Sequence, residues 1–205
     1  MTPTMPRSFA TLLLTLVLIG GTVALAGPAR ADRWTYDDAA GDVSRLVETP
    51  TSLSVEAVPE QANGDITQVV IDHRRKRIGV DIVLRAPLAG PFIVSVGLRT
   101  PGHRFQLSWM RMPGTGMGGL DLVSFDAHRK DLSVRCAGLK RTLAADRTAI
   151  RLSVPRSCLD RPRWLRASVS LNTIALRTGE SHEDDGLRTG RTLMGEFGKS
   201  PKIRR

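Results

Sequence analysis

Aromatic residues are scarce, since Phe, Trp and Tyr together make up only 4% of this 205-residue chain. Proteins that bind single-stranded nucleic acid interleave aromatic and basic side chains so that the bases can stack. That pattern is missing here, and we therefore expect no nucleic-acid partner. The scarcity also limits a glycan-stacking surface to Trp34 and Trp164, the two tryptophans that the strand patterns do not assign to the core.

Long helical patterns are absent as well, because no extended stretch repeats its apolar residues every three to four positions. Apolar residues alternate instead, most clearly in residues 65–85. There Ile78, Val80, Ile82 and Leu84 fall on one face of a strand, which is the period-2 pattern of a strand with one buried side. The stretch predicts a β-hairpin with a polar tip.

Other alternating segments recur at intervals of roughly ten residues, a spacing typical of β-sandwiches and barrels. Further strands are predicted at residues 33–36, 53–58, 92–99, 104–111, 120–126, 132–136, 147–154 and 164–171. The sequence therefore predicts an all-β chain, folded as a single antiparallel β-sandwich of about nine strands.

Cysteine is limited to two residues, Cys136 and Cys158. In an oxidising compartment an isolated pair predicts one disulfide. It would close a loop of about 20 residues and stabilise the fold by about 3 kcal/mol. A catalytic thiol would leave the second cysteine unexplained.

The first 31 residues have the composition of a secretory signal. Residues 10–26 are almost entirely apolar, and Ala29-Arg30-Ala31 fits the small-x-small rule for signal peptidase, so we expect cleavage after Ala31 and a secreted protein. An uncleaved membrane anchor is the alternative, but the apolar run is short for a membrane span. Residues 32–176 then form the sandwich domain, and residues 177–205 are expected to be a polar, flexible tail.

Positive charge dominates the chain, with a formal net charge of +10. Long-range attraction would draw a basic exported protein to anionic wall polymers, lipid headgroups or polysaccharides. The densest cationic cluster is the hairpin tip, Arg74, Arg75, Lys76 and Arg77, which could contact phosphate or sulfate groups. The alternative is a solvated turn whose charges protect the hairpin from edge-to-edge pairing.

Motifs of catalysis are missing from the sequence. There is no G-x-S-x-G and no H-E-x-x-H, and the histidines are scattered. Residues 114–119 match G-x-G-x-x-G as a string, but a strand pattern follows them, whereas a dinucleotide site needs a helix there. A catalytic triad can assemble without a local motif, so a secreted hydrolase with a dispersed active site remains an alternative.

Carboxylates are concentrated just after the predicted signal. Asp37, Asp38 and Asp42 lie within six positions, and Asp65 begins the central hairpin. If the first strand packs beside that hairpin, their oxygens would converge on a hard cation, and calcium is the one expected outside the cell. The alternative is an ordinary acidic turn. No other cofactor is predicted.

Several motifs carry a resemblance to known proteins. They are D-D-A-A-G-D-V at residues 37–43, D-I-x-x-V-x-I-x-H at 65–73, I-x-V-x-I-x-L at 78–84, V-P-R-S-C-L at 154–159 and P-R-W-L-R at 162–166. Together they resemble a group of small secreted actinobacterial proteins of uncharacterised function, similar in outline to DOMON-like domains and family 9 carbohydrate-binding modules. The resemblance implies a β-sandwich and a disulfide, and it supplies no catalytic residue.

These observations favour a secreted, non-catalytic module that binds anionic or glycan components of the cell envelope. A hydrolase and an extracellular protein-interaction or structural protein are the two alternatives.

Overall fold

The computed structural model of the protein describes residues 32–49, 52–126, 131–189 and 197–205. Within these ranges the chain forms thirteen strands, and the only helical element is a 3₁₀ turn, Arg156–Leu159. The strands are β1 (Asp32–Asp37), β2 (Ser44–Thr49), β3 (Ser52–Ala57), β4 (Ile66–His73), β5 (Arg77–Leu84), β6 (Phe92–Arg99), β7 (Arg104–Arg111), β8 (Gly118–Ser124), β9 (Lys140–Leu143), β10 (Ala149–Pro155), β11 (Trp164–Ala175), β12 (Glu180–Asp185) and β13 (Ile203–Arg204). The all-β prediction is confirmed, with more strands than the nine expected.

Two antiparallel sheets form the sandwich. One has five strands in the order β1-β4-β5-β10-β9. The other has the order β3-β2-β12-β11-β6-β7-β8, and β13 pairs with β11 beside it. Strands β6, β7 and β11 are therefore neighbours near the middle of the larger sheet.

The core lies between the inward faces of the sheets. In the central hairpin β4–β5, the side chains of Ile78, Val80, Ile82 and Leu84 are all buried, as the alternation predicts, because successive side chains of a strand point to opposite faces. Trp109 is also buried and meets Phe92 edge to face. The apolar face of each strand thus fixes which of its polar residues point outward.

The predicted disulfide is confirmed. Cys136 and Cys158 are bonded, with their Cα atoms 5.7 Å apart. The bond ties the segment before β9 to the 3₁₀ turn that follows β10. It thereby anchors a stretch, residues 132–136, that was predicted to be a strand but contributes only one isolated bridge, Ser133 to Val123.

The C-terminal region differs from the expected flexible tail. Strand β12 lies between β2 and β11, and Asp184, Asp185 and Ile203 are buried. Its sequence, ESHEDD, has no apolar residue, so alternation could not reveal it. The predicted signal segment lies outside the described residues, and no helix among the described residues is long and apolar enough to cross a membrane.

Candidate functional site

Three arginines lie side by side on the outer face of the larger sheet. Arg99 on β6 is directly opposite Arg104 on β7 and directly opposite Arg166 on β11. We call these three residues the arginine row. Like charges placed directly opposite each other on neighbouring strands destabilise a sheet, so the row has a cost that folding alone does not explain.

The arginine row is not neutralised by the part of the chain that the structure describes. All three side chains are exposed, and none of their guanidinium groups forms an ion pair or a hydrogen bond with another described residue. Their donors are therefore available to a ligand.

A concave pocket of about 340 Å³ borders the arginine row. Its floor is the next row of outward residues, Gln106, Gly97 and Ser168, which are cross-strand neighbours. Gly97 leaves room at this floor because it has no side chain. A Cβ at that position would lie 2.4 Å from Oγ of Ser168. Lys199 adds a fourth cation, and Phe125, which is 46% exposed, adds an apolar wall.

The chemistry of this pocket is that of an anion site. The described residues that line it include four cations and no carboxylate. A guanidinium group presents a planar fork of donors that matches carboxylate and phosphate oxygens. The pocket thus presents cations along one side, a polar floor and one exposed ring to an anionic ligand.

The hairpin tip, by contrast, uses part of its charge within the fold. Arg77 donates from Nε to Oγ of Ser153 at 2.7 Å and from Nη2 to the Gly138 carbonyl at 2.7 Å. Arg74 donates to Oδ2 of Asp72 at 2.8 Å. Arg75 and Lys76 remain exposed. The tip was the predicted anion site, but the guanidinium of Arg77 anchors β5 to β10 and to the segment before β9.

The two predicted glycan-stacking tryptophans are partly covered. Trp34 packs against the core and stacks on Tyr36, with ring centroids 5.9 Å apart. Lys202 covers Trp164, with Nζ 4.7 Å from the ring centroid. Neither ring lines the pocket beside the arginine row, where Phe125 is the exposed aromatic residue.

Carboxylates converge at a second place in the molecule. Ligand oxygens of Asp38, Asp42 and Asp184 all lie within 4.8 Å of one another. We call these three residues the carboxylate cluster. Asp38 and Asp42 belong to the β1–β2 loop, where the sequence placed candidate ligands, whereas Asp184 comes from β12 and was not predicted.

Asp184 holds one end of the cluster in a fixed position. Its side chain is 1% exposed, and Oδ2 accepts a hydrogen bond from the Ile66 amide at 2.6 Å. The other oxygen, Oδ1, is buried and has no hydrogen-bond partner among the described residues. Asp38 is similar, since Oδ1 accepts from the Ala39 amide at 3.0 Å while Oδ2 is buried and lacks such a partner.

The other two predicted cation ligands have different roles. Asp37 lies one position before Asp38 and so points away from the cluster, where it accepts a hydrogen bond from Gln68 at 2.7 Å. Asp65 is fully buried, and its Oδ2 accepts from the Gly41 amide at 2.8 Å and from Arg85 at 3.0 Å. Gly41 has a φ of 83°, a conformation that favours glycine. Asp65 thus fixes the loop that presents Asp38 and Asp42.

The electrostatics of the cluster favour protonation or a cation. Burial, together with the nearby carboxylates of Asp42, Asp38 and Asp65, raises the pKa of Asp184 to about 8, although the hydrogen bond from the Ile66 amide lowers it. Burial, followed by the carboxylate of Asp42, likewise raises the pKa of Asp38 to about 8. Buried carboxylates next to one another cannot all keep their charge without a partner.

One trio contains the residue types of a hydrolase triad. Nδ1 of His103 lies 2.8 Å from Oδ2 of Asp126, and this contact lowers the pKa of Asp126. Ser124 is fully buried and donates to the same carboxylate oxygen at 2.9 Å. In a triad the serine hydroxyl would meet the histidine and face the substrate. This trio instead connects the β6–β7 turn to the end of β8.

Comparisons of the chain with known protein families, with curated proteins and with solved structures gave no match. The class of the protein therefore rests on its own fold and sites. It is a disulfide-linked antiparallel β-sandwich with an arginine-lined pocket on one sheet.

Proposed function

We propose that the protein is an exported, non-catalytic binding module that holds an anionic glycan of the cell envelope on its arginine row. The observation that carries this proposal is the alignment of Arg99, Arg104 and Arg166 across three neighbouring strands, with no ion-pair partner among the described residues. Their mutual repulsion is relieved when an anion binds between them.

The shape of the pocket supports a sugar polymer as the ligand. The floor formed by Gly97, Gln106 and Ser168 offers the Ser168 hydroxyl and the side-chain oxygen of Gln106, whose nitrogen already donates to Ser108, and both groups can hydrogen-bond to sugar hydroxyls. Phe125 can lie against a sugar ring, since aromatic side chains combine a large apolar face with a rigid shape. The surface is concave and open, as a polymer that extends beyond the pocket requires.

Two features support export. The first 31 residues have the pattern of a secretory signal, and the disulfide between Cys136 and Cys158 is a bond that persists in oxidising compartments. An envelope polymer with carboxylate or phosphate groups would be the abundant anion at that location. The positive net charge would concentrate the protein near it.

The alternative of a secreted hydrolase has less support. The buried hydroxyl of Ser124 donates to Asp126 rather than to His103, so it is neither activated nor accessible. The oxygens of the carboxylate cluster lie within 4.8 Å of one another, a spacing that suits coordination of one cation.

Binding to defined polymers tests the proposal. The purified protein is titrated with polygalacturonate, with a poly(glycerol phosphate) teichoic acid and with neutral dextran, at low and at moderate salt. We expect binding to one or both anionic polymers, a decrease with salt, and none to dextran. The two anionic arms distinguish a carboxylate ligand from a phosphate ligand.

A pair of charge-matched variants locates the site. The triple variant Arg99→Gln, Arg104→Gln and Arg166→Gln should lose at least about tenfold in affinity, because it removes the charge-assisted bonds. The control, with Arg74, Arg75 and Lys76 each changed to Gln, removes the same charge from the hairpin tip and should bind nearly as the native protein does. Equal losses in both variants, or equal binding to dextran, would contradict the proposal.

A further inference from the structure

We propose that the carboxylate cluster of Asp38, Asp42 and Asp184 is a calcium site that joins the two sheets at one end of the sandwich. The site shares no residue with the pocket beside the arginine row, and it stands whether or not that pocket binds a glycan.

The first argument is the state of Asp184. A carboxylate that is 99% buried normally has both oxygens occupied, because an unpaired charge in the interior is costly. Here one oxygen is fixed by the Ile66 amide, and the other is buried without a hydrogen-bond partner among the described residues. That oxygen belongs to a residue held within 4.8 Å of two further carboxylates, which is where a cation would complete its coordination.

The distances fit a single ion. Calcium binds oxygen at about 2.3–2.6 Å, so two oxygens on opposite sides of one ion are separated by roughly 5 Å. The oxygens of Asp38, Asp42 and Asp184 lie within 4.8 Å of one another. They can therefore reach one ion with little rearrangement, and Asp65, paired with Arg85, fixes the loop that carries two of them.

The donor set favours calcium over other metals. All three ligands are carboxylates, and the cluster contains no histidine or cysteine, so zinc and other soft or borderline metals lack their preferred donors. Magnesium usually keeps several waters and uses one or two carboxylates. A cluster of three carboxylates, two of them on a loop, matches the more flexible coordination of calcium.

The position of the cluster gives the ion a structural role. Asp38 directly follows β1 of the five-stranded sheet, whereas Asp184 lies in β12 of the larger sheet, and Asp42 precedes β2 of that same larger sheet. One ion would therefore bridge both sheets and fix the loop that connects them. In its absence the cluster must take up protons, or its carboxylates repel one another and oppose closure of that end.

Calorimetry on the full-length purified protein, first treated with chelator and then freed of it, tests the inference. We expect one calcium to bind per chain, with no comparable heat from magnesium. At about one hundred times its Kd, calcium should raise the Tm by roughly 5–10 °C. A flat titration and an unchanged Tm at millimolar calcium would overturn the proposal, and equal binding of magnesium would overturn its assignment to calcium.

Variants separate ligation from folding. Asp184→Asn can keep the bond to the Ile66 amide through its side-chain oxygen but removes a ligand charge. We expect it to lose at least about tenfold in calcium affinity, while its Tm in chelator equals or exceeds that of the native protein. Asp38→Asn should behave in the same way, and Asp37→Asn, the neighbouring residue that points elsewhere, should bind as the native protein does. Loss of binding in Asp37→Asn, or native affinity in the other two, would contradict the site.

Discussion

The arginine row and the carboxylate cluster both contain like charges, but the repulsion between those charges is reduced in different ways. Each site brings a charged group from a distant strand next to two groups of the same sign that are close together in the sequence. The arginines are exposed, and water and salt reduce their repulsion. Asp184 is almost completely buried, and one oxygen of Asp38 and one of Asp42 are hidden from solvent although both residues are partly exposed, so their repulsion is removed mainly by protons or by a cation.

This difference in burial suggests different roles for the two sites. A charged group at the surface costs little to keep ready for a ligand, and its interaction with a polymer depends on salt. A buried cluster is expensive to keep empty, so its ligand becomes part of the stability of the fold. We therefore infer that the arginine row mediates recognition and that the carboxylate cluster mediates stabilisation.

The largest loss in the free energy of unfolding is expected when a carboxylate is buried without amide donors and without a cation. Ile82→Asp would place one in the core between the sheets, where Ile82 is 0% exposed, and should cost about 4 kcal/mol or more. Val83→Asp, one position later on the outer face and 37% exposed, is the control and should cost far less. Urea unfolding measures both. Similar stability for the two variants would show that the burial of charge does not govern this fold.

A pH series separates protons from calcium as the partner of the cluster. In chelator, the pKa values of Asp38 and Asp184 are about 8 in the folded protein, against a usual 3.8. The folded state therefore holds protons that the unfolded chain has released between about pH 4 and pH 8, and stability should fall as the pH rises through that window. Saturating calcium should flatten the fall, because its ligands are already deprotonated.

The readout is the Tm from pH 5 to 8, with chelator and with calcium. Besides Asp38 and Asp184, two other groups with shifted pKa values contribute to the pH dependence of the Tm. Burial also raises the pKa of Glu183, which adds to the fall, whereas burial lowers the pKa of His73, whose effect has the opposite sign below its usual value of 6.5. Asp184→Asn, which leaves both groups in place, is therefore the control and should show a smaller fall. The same dependence of the Tm on pH with and without calcium would show that calcium is not the partner of the carboxylate cluster.

A cation that is held by hydrogen bonds should behave differently from the arginine row. Arg77→Gln removes donors to Ser153 and to the Gly138 carbonyl and should lower the free energy of unfolding by about 1–2 kcal/mol. Arg75→Gln, at an exposed position of the same tip, should change it little. Denaturant unfolding measures both. Equal stability of the two variants would show that the hydrogen bonds of Arg77 do not stabilise the fold.

The sequence predicts the sandwich because alternation is a local signal. Residues 92–99 and 104–111 were predicted as strands and are β6 and β7 in full, since each buries one apolar face. Because successive side chains of a strand point to opposite faces, the same alternation places Arg99 and Arg104 on the outer face. These two residues flank the short β6–β7 turn and so face each other, whereas Arg166 joins them only through the pairing of β11 with β6, which no local pattern specifies, so the arginine row was not predicted.

The carboxylate cluster was predicted in part for the same reason. The spacing of Asp38 and Asp42 in one loop marks them as candidate ligands, and the loop is local. Asp184 lies more than 140 positions later in a strand without apolar residues, and only the pairing of β12 between β2 and β11 brings it to the loop. In the hairpin tip the density of charge in the sequence did not reveal that Arg77 is engaged within the fold, and anion binding by the tip stays a prediction.

The smallest expected effect concerns the repulsion within the arginine row. Arg99 lies between Arg104 and Arg166, so Arg99→Gln relieves two like-charge contacts and should raise the free energy of unfolding by about 0.5 kcal/mol at low salt. The gain should vanish at high salt, because exposed charges are screened. Arg75→Gln, outside the row, is the control and should show no such gain. A loss of stability in Arg99→Gln would mean that the row supports the fold, and its assignment to ligand recognition would then be wrong.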